Sequence, residues 1–255
     1  MKKFWFLAGV FVLVLFLLGG VAWALTADEI LDEVEKRRTD FVTQRSEAKM
    51  ILVDENGKEE VREVVMYSKD EGDDTISLIV RFLSPADVKG VTLLSVKGGE
   101  KIYLYMPAYR KVRRIAGSGK KEKFMGTDFS YEDLSQGYGR EDYEATLLSE
   151  DEKNYYLELK PLEEDSDYSK LMMTVDKEKF YFKKIEFYDL EGNPWKELQV
   201  LEVEEDEEGK INILKMSFKD LKENHETRME TVKHEEDIPL PDRFFSVRTI
   251  QRPEL

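Results

Sequence analysis

The sequence predicts a mainly β fold, in which an antiparallel meander of about ten to twelve strands curves strongly around one long helix and two short ones. Three observations support this prediction. One helical pattern follows an apolar leader, hydrophobic residues then alternate with polar ones over most of the remaining length, and turn signals separate the alternating runs at short intervals. No further alternation of strand and helix follows, which argues against a parallel sheet.

The N-terminal segment predicts export. Two lysines precede an uncharged run over residues 4–27, which a glycine pair interrupts. Ala22-Trp23-Ala24 then supplies the small-x-small pattern that signal peptidase reads. We expect a signal peptide over residues 1–24, cleaved after Ala24, and one mature domain over residues 25–255. An uncleaved membrane anchor is the alternative, because about 20 apolar residues suffice to span a bilayer.

The first element after the leader is predicted to be a helix. Thr26 and Glu29 form a capping-box pattern, in which the threonine caps the helix and the glutamate reaches back to it. Ile30 and Val34 follow on one face, as in an amphipathic helix. The helix is expected to end at about Arg38.

Runs with a hydrophobic period of two follow the helix. Turn signals separate them, as at residues 55–58, 191–194 and 207–210. Ser84 to Gly90 and Ser130 to Gln136 are predicted to form one-turn helices within the series. The predicted strands span residues 42–52, 60–68, 75–83, 91–96, 101–106, 143–148, 155–159, 170–175, 183–188, 195–203, 211–218 and 227–233.

Composition excludes several classes of function. The chain has 255 residues, 39 Lys and Arg against 54 Asp and Glu, a net charge of −15 and no Cys. The missing Cys excludes thiol nucleophiles, Cys-ligated zinc and disulfides. Nucleic acid is not an expected partner. Phosphate binding needs clustered basic residues, whereas this chain is strongly acidic.

One basic segment stands out against this acidic background. Residues 110–123 contain seven basic residues and a single acid, Glu122. A charge of the minority sign gathered in one segment predicts contact with an anionic surface, either lipid headgroups or an acidic patch of a protein. The alternative is that Arg113 and Arg114 merely pair with carboxylates of neighbouring strands. The predicted docking residues are Arg110, Lys111, Arg113 and Arg114.

The alternation also identifies an apolar face of the sheet. One helix of about a dozen residues cannot cover ten strands spaced about 4.8 Å apart, so we expect part of a concave face to remain open for a ligand. The alternative for each residue is ordinary burial in the core. The predicted cavity residues are Leu78, Val80, Phe82, Ile102, Leu104, Met106, Leu157, Leu159, Ile185 and Phe187.

Three stretches resemble a known family. They are residues 81–94 (RFLSPADVKGVTLL), 101–107 (KIYLYMP) and 126–134 (GTDFSYEDL), with the basic stretch 109–115 between them. Together they resemble the outer-membrane lipoprotein-sorting protein family, which is similar to the periplasmic lipoprotein carriers LolA and LolB. The resemblance implies an incomplete, half β-barrel of about eleven antiparallel strands with a helical lid, located in the periplasm.

The resemblance also implies a function. It is that of an exported, non-enzymatic carrier or receptor, which needs no cofactor or metal and binds the acyl chains of a lipoprotein or another lipid in a hydrophobic cavity. The expected partners are an inner-membrane transporter, an outer-membrane acceptor, or both, with transient membrane contact and a monomeric carrier. The alternative is a periplasmic sensor or adaptor that binds a membrane-protein partner, with the cavity filled by its own side chains.

The residues give little support for an enzyme. His225 and His234 are nine positions apart, which matches none of the usual zinc patterns, and both are expected to be solvated. Gly117-Ser-Gly119 lacks the strand-to-helix context of a nucleophile elbow. No catalytic residue is therefore predicted.

Overall fold

The computed structural model describes residues 25–255, apart from Thr39, Asp73, Asp74, Gln136, Glu208 and Asp242. The predicted signal peptide therefore lies outside the described residues. The described helices are α1 (Ala27–Arg38), two short 3-10 helices (Pro107–Tyr109 and Gly117–Lys121) and α2 (Val247–Ile250).

Helix α1 begins as the capping box predicts. The Glu29 carboxylate accepts a hydrogen bond from the Thr26 backbone N–H at 2.8 Å, and the Thr26 hydroxyl accepts one from the Glu29 N–H at 3.2 Å. Ile30, Leu31 and Val34 are buried on one face. The predicted helix is therefore confirmed at both ends and in its apolar face.

Thirteen strands follow in the described part of the chain. The twelve predicted strands are confirmed, and β6 is the one that the alternation did not reveal, because three of its five side chains are cationic. The strands are β1 (Thr43–Val53), β2 (Glu59–Asp70), β3 (Ile76–Ser84), β4 (Thr92–Val96), β5 (Lys101–Met106), β6 (Lys111–Ile115), β7 (Tyr143–Glu150), β8 (Asn154–Pro161), β9 (Lys170–Asp176), β10 (Phe182–Tyr188), β11 (Pro194–Glu205), β12 (Ile211–Asp220) and β13 (His225–Glu236).

All thirteen strands form one open antiparallel sheet. Its order is β6-β5-β4-β3-β2-β1-β13-β12-β11-β10-β9-β8-β7. Each half is a meander, and the two halves join where the first strand pairs with the last, for example Met50 opposite Met229. Strands β6 and β7 are the two free edges, so the barrel is incomplete, as the fold prediction states.

The chain crosses from one free edge to the other through the interior. We call residues 116–142 the crossing segment. Its Phe124 stacks on Phe82 of β3 with ring centroids 5.5 Å apart, and its Phe129 lies 4.7 Å from Phe218 of β12. The segment therefore packs against both halves of the sheet.

The two predicted one-turn helices are hydrogen-bonded turns. In the first, the Lys89 N–H donates to the Pro85 carbonyl oxygen at 2.9 Å. In the second, Ser130 and Asp133 cap each other, because each side chain accepts a hydrogen bond from the backbone N–H of the other at 2.8 and 3.0 Å. The second turn lies within the crossing segment and shapes its path.

The C-terminal segment, residues 238–255, covers the outer face of strands β2 to β5. Phe244 and Ile250 are buried there against the sheet. Arg81 of β3 holds this segment on the sheet. Its guanidinium donates one hydrogen bond to the Ile250 carbonyl oxygen and one to the Thr92 hydroxyl oxygen, both at 2.8 Å. Burial lowers the pKa of Arg81. Strand β3 is thus covered on both faces and occupies the centre of the N-terminal half.

Candidate functional site

The ten predicted cavity residues lie on the inner face of the sheet, in two groups. The N-terminal inner cluster holds Val80, Phe82, Ile102 and Leu104, which are buried, with Leu78 and Met106 partly buried against them. The C-terminal inner cluster holds Leu157, Leu159, Ile185 and Phe187, all fully buried. The alternation thus placed all ten on one face, and acyl binding there stays a prediction.

Most of this inner face is covered, and Met66, Leu78, Met106, Met216 and Met229 stay partly exposed at its borders. Helix α1 packs on the C-terminal inner cluster through Ile30 and Leu31. The crossing segment packs on the N-terminal inner cluster through Phe124 and Tyr131. The sequence argument counted α1 as the only cover and overlooked a second one. An acyl chain that contacts the fully buried residues of these clusters would therefore displace the crossing segment or α1.

A buried charged group holds the crossing segment to the C-terminal half. The Lys196 ammonium of β11 lies 3.0 Å from the Asp133 carboxylate and 2.9 Å from the Tyr168 hydroxyl, which donates to Asp133 at 3.1 Å. The side chains of Lys196 and Asp133 are each only 4% exposed. Removing two charges from water is costly, and these mutual contacts offset the cost. Burial, and the nearby Asp133 charge, raise the pKa of Tyr168. We call this group the latch.

A second polar group contains His225. The sequence predicted a solvated side chain at this position, and the structure contradicts that prediction. Its Nδ1 lies 2.8 Å from a carboxylate oxygen of Asp128, which is fully buried in the crossing segment. The Thr227 hydroxyl donates to the same carboxylate at 2.7 Å, and the Asp128 N–H donates to the Thr227 hydroxyl oxygen at 3.0 Å. His225 therefore anchors the crossing segment to β13, and the sequence could not indicate this because its partner lies 97 residues away.

The second histidine is also partnered. His234 contacts the Ser46 hydroxyl at 3.2 Å and a Glu236 carboxylate oxygen at 2.9 Å. Within residues 25–255, outside the six undescribed positions, no three His, Asp or Glu side chains converge as metal ligands would. Both histidines thus connect β13 to another part of the described chain, His225 to Asp128 and His234 to Ser46.

Replacing His225 by Ala is expected to lower the free energy of unfolding by about 2 kcal/mol, because the buried Asp128 carboxylate then loses a hydrogen bond to a ring nitrogen. Urea unfolding measures this change. His234→Ala is the matched control on the same strand, and it is expected to cost less than about 1 kcal/mol because the Glu236 carboxylate keeps its ion pair with Lys210 at 2.6 Å. Equal effects of the two changes would contradict the anchoring role of His225.

The predicted docking residues lie at and beside the free edge strand β6. Arg110, Lys111 and Arg114 are exposed and make no ion pair with any described residue, whereas Arg113 pairs with Glu122 at 3.2 Å. The neighbouring Tyr109 is 70% exposed. The alternative of local pairing therefore applies to Arg113 alone, and three cations face solvent beside an exposed aromatic ring.

Comparison with known proteins supports the fold. A family model of uncharacterized proteins matches residues 74–252. An outer membrane lipoprotein-sorting protein domain from Vibrio parahaemolyticus has 24% identity and a TM-score of 0.82, with 89% of this chain and 98% of that one covered. A DUF1329 family protein from Desulfovibrio piger has 26% identity and a TM-score of 0.78, with 89% and 100% covered.

A LolA superfamily protein from Nitrosomonas europaea has 21% identity and a TM-score of 0.70, with 88% of this chain and 98% of that one covered. No curated protein has a significant match to the chain. Among the described residues, no helix has both the length and the apolar character needed to cross a bilayer. The resemblance noted in the sequence is therefore confirmed at the level of fold and family.

Proposed function

The chain belongs to a DUF1329-like family of uncharacterized proteins that has the fold of outer membrane lipoprotein-sorting domains and of the LolA superfamily, and from this we propose that it is an exported, non-enzymatic lipid carrier. Its signal peptide, residues 1–24, is removed, and residues 25–255 act in the periplasm. They receive the acyl chains of a lipoprotein or another lipid from one membrane and deliver them to another.

The continuous apolar inner face is the observation that carries this proposal. Two clusters of aliphatic and aromatic side chains line the sheet, and what covers them is a crossing segment rather than another sheet. Each CH₂ of an acyl chain that leaves water contributes about 0.8 kcal/mol. An acyl chain that displaces Phe124 and Tyr131 would therefore replace one set of apolar contacts by another.

The experiment has two arms. Native mass spectrometry of the mature protein, purified without detergent, asks whether a lipid travels with the chain. The second arm measures the affinity for a fluorescent fatty-acyl probe in Phe124→Leu, which removes part of the ring that fills the inner face. We expect a loss of about 1–2 kcal/mol in stability, since a small cavity forms, and a severalfold gain in probe affinity.

Phe244→Leu is the matched control for this change. It makes the same substitution at a buried ring on the outer face, where no ligand is proposed. We expect a similar loss of stability and an unchanged probe affinity. The carrier proposal fails if neither the wild type nor Phe124→Leu binds the probe and no lipid accompanies the purified chain.

The filled inner face also favours one alternative. A sensor or adaptor would use the same half-barrel with its interior occupied by its own side chains, and the described interior is occupied by α1 and the crossing segment. Such a protein would bind a membrane-protein partner and would take up no acyl probe, even as Phe124→Leu. The two arms above therefore distinguish the carrier from the adaptor.

The exposed cations beside β6 fit docking on an anionic surface, where each Lys or Arg contributes about 1 kcal/mol. We expect replacement of Arg110, Lys111, Arg113 and Arg114 by Gln to weaken binding to anionic vesicles in low salt. The difference should vanish near 0.5 M salt, where the screening length is about 4 Å. Cosedimentation with the vesicles measures it.

The control variant for this prediction has the same change in net charge, but its substitutions lie away from β6. It replaces by Gln four exposed lysines spread over other strands and turns, which are Lys49, Lys153, Lys160 and Lys233. We expect it to bind vesicles nearly as well as the wild type. Equal weakening of both variants would show that net charge alone acts, and β6 would then have no docking role.

A further inference from the structure

A cavity of about 390 Å³ lies between the crossing segment and the loop that joins β8 to β9. None of the ten predicted cavity residues lines it, so its ligand chemistry differs from that of the inner face. Its exposed rim includes Glu141, Leu162 and Glu163, which leaves it open to solvent. Its walls carry five carboxylates and three tyrosines, namely Glu132, Asp133, Glu141, Asp142, Glu163, Tyr138, Tyr143 and Tyr168. We call it the carboxylate cavity.

The negative charge of this cavity is poorly balanced. Of its five carboxylates, Asp133 has a buried ammonium partner, Lys196. Burial and the neighbouring Glu163, which shares a hydrogen bond with it, raise the pKa of Glu132 to about 7. Burial and the nearby Glu35 charge raise the pKa of Asp142 to about 6. Such shifts arise where carboxylates crowd together without enough cations.

An unpartnered hydroxyl group in the same cavity points independently to a ligand. Tyr143 is only 7% exposed, and its hydroxyl has no hydrogen-bond partner among the described residues. Among the described residues, Ser95 Oγ is the one buried side-chain polar atom without a partner, so the Tyr143 hydroxyl itself is open to the cavity although its ring is buried. Because Tyr143 lines the cavity, a ligand bound there could accept or donate this missing hydrogen bond.

The latch, in the same wall, shows how these groups receive an ammonium. The Lys196 ammonium contacts the Asp133 carboxylate and the Tyr168 hydroxyl and lies 5.5 Å from the centre of the Tyr168 ring. The neighbouring carboxylates and the Tyr143 hydroxyl repeat this chemistry, with Lys120 and Arg38 nearby but in no ion pair with the cavity carboxylates of the described chain. In the described part of the chain, no three acidic or histidine side chains converge on a metal position, which favours an organic cation.

We propose that the carboxylate cavity binds the primary ammonium group of a small organic cation, between the carboxylates of Glu132, Glu163 and Asp142 and the rings of Tyr138 and Tyr143. The volume lies in the range of small-molecule sites. The ammonium reaches the protein either on a free amine or as the amino headgroup of a lipid.

The proposal gives binding a definite pH dependence. The groups that face Glu132 are Glu163, Asp133 and Lys120, and those that face Asp142 are Glu35, Glu141, Glu163 and Arg38. Because an ammonium favours ionised carboxylates, its binding releases protons from groups with raised pKa values. Affinity should therefore be highest near pH 8 and should fall as the pH drops through 7 to 5.5.

Isothermal titration with 1,4-diaminobutane tests the free-amine source. We expect a dissociation constant of about 1 mM or lower at pH 8 and at least tenfold weaker binding for Glu132→Gln/Glu163→Gln. Flotation with vesicles of phosphatidylethanolamine, compared with phosphatidylcholine alone, tests the headgroup source, and binding only to the former supports it. Neither arm needs acyl-probe binding, so this proposal can fail while the carrier proposal stands, and the reverse.

Two further variants separate recognition from folding. Glu132→Gln/Glu163→Gln removes like charges and should unfold at the same temperature as the wild type or higher. Tyr143→Phe should weaken binding severalfold without loss of stability, since the hydroxyl has no partner to lose. Glu164→Gln, an exposed carboxylate on the same loop, should bind as the wild type does. The proposal would be overturned if neither arm showed binding at pH 8. It would also be overturned if Glu164→Gln weakened binding equally, or if the affinity did not depend on pH.

Discussion

Replacing Lys196 by Met is expected to lower the free energy of unfolding by about 3–5 kcal/mol, because the Asp133 carboxylate is left buried without its counter-ion. Met keeps the length of the side chain but removes the ammonium, which lies 5.3 Å from the centre of the Phe218 ring, so the lost charge is what is measured. Urea unfolding at neutral pH gives the change. If the crossing segment is the gate of a carrier, the variant should also take up an acyl probe faster than the wild type.

A second variant removes both charges of the latch. In Lys196→Met/Asp133→Asn, the amide oxygen can still accept the hydrogen bond from the Ser130 N–H that caps the turn. We expect it to regain at least half of the lost stability, since no unpaired charge stays buried. Lys215→Met, at a half-exposed pair with Glu202, should cost less than about 1 kcal/mol. Similar losses in all three variants would contradict the special cost of the buried latch.

Leu157→Asp is expected to cost about 4 kcal/mol or more, which would leave most molecules unfolded or loosely packed. Leu157 is fully buried on β8 between Leu147 and Met173 of the adjacent strands. A carboxylate there has no counter-ion nearby and displaces an apolar side chain. Circular dichroism and urea unfolding measure the effect, and the fluorescent acyl probe should not bind.

Two comparisons show that position, not the introduced charge, causes this effect. Leu201→Asp on β11 places the same residue at a half-exposed site, where we expect less than about 0.5 kcal/mol. Leu104→Asp repeats the test in the N-terminal inner cluster and should be as damaging as Leu157→Asp. A folded Leu157→Asp protein that binds the probe as the wild type does would mean that the inner face has been misassigned.

The strands could be predicted because burial on one face leaves a period of two in the sequence. Ile102 and Leu104, with polar or aromatic neighbours between them, are buried on the inner side of β5 as expected. Strand β6 shows the limit of that signal, since an edge strand at the rim buries only Ile115 fully and carries basic side chains instead. Its residues were therefore interpreted as a charged segment rather than as a strand.

The interior of the molecule could not be predicted in the same way. Phe124, Phe129 and Tyr131 have neither a helical nor a strand period, because they lie in irregular turns, where the Phe124 N–H donates to the Phe129 carbonyl oxygen at 2.8 Å. The contact of His225 with Asp128 likewise depends on a chain reversal that no local pattern encodes. Sequence reasoning thus identified the wall of the half-barrel and left out what occupies it.

The pairing of β1 with β13 has a consequence for how the molecule assembles. Ser46 and His234 face each other although 188 residues separate them, so the seam between the two halves closes only when the last strand is available. Contacts of such high sequence separation slow folding, because the entropy of closing the loop must be lost before the pairing gains anything. A chain that stops after β12 would keep two half-sheets with separate cores and would lack the strand that joins them. We expect such truncated chains to expose the edge of β1 and to aggregate.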